Sequence, residues 1–160
     1  MYAAIHGDTS LIRRLVQSGT DPNAASRAYL TEGFDGWTAM MWGAYKCNPD
    51  VVRELLNLGS DVDRTDASGK TALHVALMVD CNVVADILLS SGANPNAAMW
   101  TGDTPLHFAV RAKNYAAVRK LVAAGAKVDV VGAYDLTPLR IAETNGTTDE
   151  VVQFLRLHTK

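Results

Sequence analysis

The sequence predicts an all-α solenoid of stacked helix-turn-helix units with projecting hairpin loops. Two observations carry that prediction. Thr38, Thr71, Thr104 and Thr137 stand 33 residues apart, and they open near-copies of one phrase: TAMM, TALH, TPLH and TPLR. A glycine recurs 21 residues after the threonine, at Gly59, Gly92 and Gly125. Self-similarity at a fixed period of this length means supersecondary units that bury their faces on one another, not a globule built around one active site.

Each element of the unit follows from its residues. Threonine is a good N-cap, and Pro105 and Pro138 fall at the first helical position, where a missing N–H costs nothing. Small residues, Gly43, Ala76, Ala109 and Ala142, sit five places after the threonine, where this first helix must pack closely. A second helix is marked by Val51-Val52 with Leu55-Leu56, Val84-Ala85 with Leu88-Leu89, and Ala117-Val118 with Leu121-Val122. Offsets of 0, 1, 4 and 5 place all four side chains of a set on one helical face. The late glycine then closes the helix in the left-handed conformation. A loop follows, with turn glycines Gly36, Gly69 and Gly102 two residues before the next threonine.

These units resemble ankyrin repeats, whose consensus has a TPLH opening, paired small residues and a closing GADVN. The resemblance covers nearly all 160 residues. A partial first unit carries Ala3-Ala4, Gly7, Leu11-Ile12, Leu15-Val16 and Gly19, which gives five repeats at about 1–25, 33–65, 66–98, 99–131 and 132–160 in a single domain, 1–160. One departure breaks the period: Gly19 to Gly59 spans seven residues more than a repeat, which places an insertion at 26–32 (Ser26 to Glu32). Such an insertion is a tolerated surface loop or, given Tyr29, Leu30 and the nearby Phe34, a binding loop. The first unit begins inside its motif, either as a degenerate cap or as a piece of a longer array. In the last, Glu143 and Glu150 replace apolar residues, and a terminal cap is expected there.

Composition bounds the function. A formal charge of −2 and a pI near 6.0 provide no basic field for nucleic acid. No apolar run approaches membrane-spanning length and no signal sequence leads the chain, so the expected location is intracellular, cytoplasmic or nuclear. Cys47 and Cys81 differ by one place in their repeats, a register that can bring them together, but the expectation is free thiols in a reducing compartment. His74 and His107 occupy the TPLH position, where the resemblance implies a structural imidazole tying loop to helix. There is no phosphate loop, nucleophile elbow, HExxH or metal-ligand spacing, so no enzyme, metal or cofactor is expected.

Function is then expected on exposed positions. In ankyrin arrays the loop tips and the outward side of the first helices line a concave groove. The corresponding residues are Phe34, Asp35, Trp37 and Tyr45, then Lys70 and Met78, then Trp100, Asp103 and Arg111, and finally Tyr134 and Leu136. The apolar members of this set are expected to stand in water, and exposed aromatics with arginine make interface hot spots. The leading expectation is a module, monomeric by itself, that binds a protein or peptide, with Trp37, Tyr45 and Trp100 as anchors and Lys70, Asp103 and Arg111 setting register.

Two further classes stay open. The segment from Asp35 to Trp42 resembles one in certain histone lysine methyltransferases whose ankyrin repeats read methylated lysine through an aromatic cage. Trp37, Trp42 and Asp103 match three cage positions, while Val75 and Tyr45 depart from the pattern. A structural spacer within a larger protein needs no groove chemistry at all. Asn23 and Asn96 resemble the context of asparagine hydroxylation in animal ankyrin repeats, but are expected simply to brace their loops.

Overall fold

The computed structural model describes residues 1–26, 34–146 and 148–159, so the insertion expected at 26–32 lies outside the described residues except for Ser26. Among the described residues the regular structure is helical, apart from one isolated antiparallel bridge between Ala25 and Thr38. The fold class read from the sequence therefore stands. Contacts divide the chain into two compact units, Met1–Ala93 and Asn94–Lys160.

The first unit holds α1 (Tyr2–His6), α2 (Thr9–Gln17), α3 (Ala39–Tyr45), α4 (Pro49–Asn57), α5 (Ala72–Met78) and α6 (Asn82–Ser90). Each short inner helix pairs with the outer helix that follows it. The inner helices α1, α3 and α5 stack in order, and so do the outer helices α2, α4 and α6. Arg13 on α2 reaches Glu54 on α4 through two bonds of 2.8 Å. Those bonds, against the cost of burial, hold the Glu54 carboxyl below the usual range. In the second unit α7 (Pro105–Arg111) pairs with α8 (Tyr115–Ala123) and α9 (Pro138–Thr144) with α10 (Asp149–His158), while α7 stacks on α9.

The helix starts have local causes. Thr38 Oγ1 accepts the Met41 amide and Thr137 Oγ1 the Arg140 amide. At α5 and α7 a reciprocal capping box forms, in which the Thr71 and Thr104 amides donate to His74 and His107 Nδ1 at 3.1 and 3.0 Å. The outer helices begin at Asp8, Asn48 and Asn114, each accepting amides of the first turn. Cys81 takes that same place ahead of α6 and makes no cap bond. The first three members of each apolar set (Val51, Val52, Leu55; Val84, Ala85, Leu88; Ala117, Val118, Leu121) are buried and the fourth (Leu56, Leu89, Val122) is half-buried. Gly43, Ala76, Ala109 and Ala142 are buried.

The loop tips explain their glycines. Gly36, Gly69 and Gly102 have φ of 79, 82 and 85°, a region that side chains disfavour. At Gly102 a Cβ would also stand 2.8 Å from the Val131 carbonyl oxygen, so the next tip leaves no room for one. The fifth repeat's tip departs from this pattern: Tyr134 and Asp135 adopt φ of 60 and 56° without being glycine.

Candidate functional site

In the first unit the expected anchor Trp37 is buried. Its side chain is 1% exposed, and the expectation that it stands in water is corrected. The tip backbone turns the ring inward: Ser26 N–H donates to the Trp37 carbonyl at 2.8 Å and Trp37 N–H to the Phe34 carbonyl at 3.2 Å. There Phe34, Trp37, Trp42 and Tyr45 pack on one another. Phe34 meets Trp37 edge-on at 4.7 Å and stacks on Trp42 at 4.9 Å, and Trp37 and Trp42 lie 5.0 Å apart. Four large rings lose less by covering each other than by facing water separately.

Lys70 is engaged as well. Its Nζ lies 3.8 Å from Asp66 Oδ2 and 6.0 Å from the centre of the Trp37 ring, and the side chain is only partly exposed. A cation of the chain's own already lies over the Trp37 ring, which is itself buried, so the methyl-lysine reading gains no support here. What remains open in this unit is Asp35 on the tip, with Tyr45 (38% exposed) and Met78 (44%) at the same register on the ends of α3 and α5.

In the second unit the expected site residues converge. Asp103, 6% exposed, accepts Arg111 through two bonds of 2.7 and 3.1 Å, and accepts the Ala133 amide at 3.0 Å. It is therefore a buried brace, which corrects the expectation that Asp103 stands exposed in the groove to set a partner's register. Burial opposes its ionisation, but the bonds from Arg111 and Ala133 outweigh that and hold the carboxyl below the usual carboxylate range. His107 completes the brace: Nδ1 accepts the Thr104 amide and Nε2 donates to the Leu136 carbonyl at 3.2 Å. Burial pushes its pKa down despite the Asp103 carboxylate, in keeping with a neutral ring used on both nitrogens.

This brace shapes a cleft of about 480 Å³ lined by Met99, Phe108, Arg111, Tyr134, Leu136, Ile141 and Thr144, among others. Trp100, between the lining residues Met99 and Thr101, is 80% exposed, and Tyr134 on the opposing tip is 91% exposed. Arg111 and Leu136 are half-buried in the wall. Sequence reasoning misses Met99, Phe108 and Ile141 as wall residues because the groove positions counted from the threonine omit them. The asparagines do brace loops: Asn23 Oδ1 accepts the Asp61 amide at 2.7 Å, and Asn96 binds both the Lys127 amide and the Gly125 carbonyl.

Cys47 and Cys81 are joined in a disulfide, so the expectation of free thiols is corrected. Equivalent places on stacked helices lie about 8–10 Å apart. The one-residue offset shortens the Cα–Cα distance to 5.6 Å, inside the bridging range. No group of three or more potential metal ligands occurs among the described residues, and none of their helices is long and apolar enough to cross a membrane.

Comparison with known proteins agrees with this architecture. The chain matches the family described as "Ankyrin repeats (3 copies)" over residues 1–99 and "Ankyrin repeat" over residues 101–133. It is 30% identical over 148 residues to the B-cell lymphoma 3 protein homolog of Mus musculus, covering 92% of this chain and 32% of that protein. It is 31% identical over 159 residues to ankyrin repeat and SAM domain-containing protein 6 of Danio rerio, covering 97% and 20%. With cyclin-dependent kinase 4 inhibitor B of Homo sapiens it shares 37% over 111 residues, 69% of this chain and 79% of that one. The chain thus spans a third or less of the first two relatives. Ankyrin repeats as a class are protein–protein interaction modules. On the period, the fold and these matches, the chain belongs to the ankyrin-repeat family.

Proposed function

We propose that the chain is a single ankyrin-repeat domain, residues 1–160, that binds a protein or peptide partner and catalyses no reaction. The partner docks on the tips and inner-helix ends of the second unit, with Trp100 and Tyr134 as anchors and Arg111 as a fixed charge. Asp35, Tyr45 and Met78 provide contact residues in the first unit. Tyr134 carries this reading: a bulky side chain held in left-handed backbone, 91% exposed, beside a cleft. That conformation costs about 1–2 kcal/mol and buries nothing in the free chain, a pattern found where strain serves recognition. A human relative that is by name an inhibitor of a kinase fits action through binding. The net charge of −2 gives no reason to expect nucleic acid as partner, and we expect an intracellular monomer.

The test is capture from host lysate by the native chain beside a Trp100→Ala/Tyr134→Ala chain of equal helicity. A protein retained by the first and lost by the second supports the reading. A protein held equally by both, or nothing held by either, contradicts it and favours another surface or a spacer.

A further inference from the structure

We propose that the Cys47–Cys81 bridge is a reversible thiol–disulfide switch built into the turns between inner and outer helices of the first unit. The switch is independent of which partner the chain binds.

The register of the turns is the starting point. One turn position is left-handed in all five repeats, where Gly7, Cys47, Asp80, Lys113 and Gly146 have φ of 76, 50, 57, 56 and 58°. In the first four repeats the next position stands at the N-cap of the outer helix, and Asp8, Asn48 and Asn114 each accept first-turn amides there. Cys47 holds the first position in the second repeat, and Cys81 holds the second position in the third. Cys81, tied to Cys47, makes no cap bond. The bridge thus takes the place of a helix cap that Asp8, Asn48 and Asn114 supply at the same position in three other repeats.

Access and leaving-group chemistry make the bond exchangeable. Cys47 is exposed and Cys81 is 3% exposed, so an incoming thiolate reaches the bridge at Cys47 Sγ. A new S–S bond forms there, the Cys47–Cys81 bond breaks, and the electron pair leaves on Cys81 Sγ. That thiolate is released at the N-terminus of the nine-residue helix α6, which stabilises negative sulfur and speeds its departure. It can accept the Val84 amide, as Asn48 accepts the equivalent Val51 amide at 3.1 Å. A second thiol, as thiolate, then attacks the outer sulfur of the mixed disulfide and frees Cys47. With glutathione as the monothiol, two glutathione thiols supply two electrons and become one glutathione disulfide, and the reverse reaction restores the bridge. Reduction exchanges a covalent link between two repeats for a capped α6. Exposure of one half of the bridge, Cys47, opens it to the exchange that marks the labile class of disulfides.

The test equilibrates the full native chain with glutathione and glutathione disulfide at set ratios, quenches with acid, alkylates free thiols and reads the mass, while circular dichroism follows helicity. The expected result is a bridge that opens in millimolar glutathione with helicity retained and re-forms in the disulfide. Because two glutathiones are consumed, a tenfold rise in glutathione at fixed glutathione disulfide should raise the dithiol-to-bridge ratio about hundredfold. Trapped mixed disulfide should sit on Cys47. A Cys81→Asn chain, which replaces the sulfur by the neighbouring repeats' cap, should fold and carry glutathione on Cys47 without resolving it. A bridge that opens only when the chain unfolds, helicity lost on reduction, or two free thiols at every ratio would each overturn the proposal.

Discussion

Arg111 holds Asp103 with two guanidinium nitrogens, at 2.7 and 3.1 Å, while the same carboxylate accepts the Ala133 amide. One buried carboxylate therefore fixes the end of α7 and the start of the following tip at once. The exposed rings of Trp100 and Tyr134 owe their setting to this brace, since each lies within three residues of it along the chain.

Asp103→Ala leaves a half-buried guanidinium and a backbone amide unpaired. The expected loss is roughly 2–3 kcal/mol, read from the urea midpoint. The sign with pH follows from the depressed pKa: the stabilisation is present above the unfolded value of about 3.9 and is lost as pH falls below it. The Asp103→Ala chain should lack that part of the acid sensitivity.

His107 should give a second, separate pH dependence. Its folded pKa lies below the unfolded value of about 6.5, so the unfolded chain binds more protons between the two. Stability should be complete above that value and decline as pH falls through it towards the folded pKa. Urea midpoints taken from neutral to mildly acid pH should show the decline in the native chain, and a shallower one in His107→Gln.

Much of this is legible in the sequence, and the failures have physical causes. The 33-residue period determines which residues cap, turn and pack, because those roles depend on neighbours a few residues away. Trp37 is misplaced by such a reading because its exposure depends on whether Phe34, Trp42 and Tyr45 close over it, a choice made by side chains and not by register. Asp103 is misplaced because its partner, Arg111, looks equally free at its own position. The disulfide is within reach: a one-place offset between two turns already implies proximity, and Cys81 at a capping position is the overlooked signal.

The two tryptophans at the loop tips should behave oppositely. Trp37→Ala removes a core ring and should cost about 3–5 kcal/mol, whereas Trp100→Ala should stay within about 0.5 kcal/mol of the native chain. Thermal and urea unfolding of both variants check this. Equal effects would return Trp37 to the surface.

Glycines with the same backbone sign should differ by their surroundings. Gly59 has φ of 81° with open space where a Cβ would stand, so Gly59→Ala should cost about 1–2 kcal/mol, the backbone cost alone. Gly102→Ala adds a clash with the Val131 carbonyl oxygen and should cost roughly 2–4 kcal/mol. Paired denaturation curves measure the difference.

Amide hydrogen exchange on the chain, with and without its captured partner, bears on the docking surface without any substitution. Binding at the tips that carry Trp100 and Tyr134 should slow exchange in residues 99–103 and 132–136. Protection confined to the outer helices, with both tips unchanged, would contradict it.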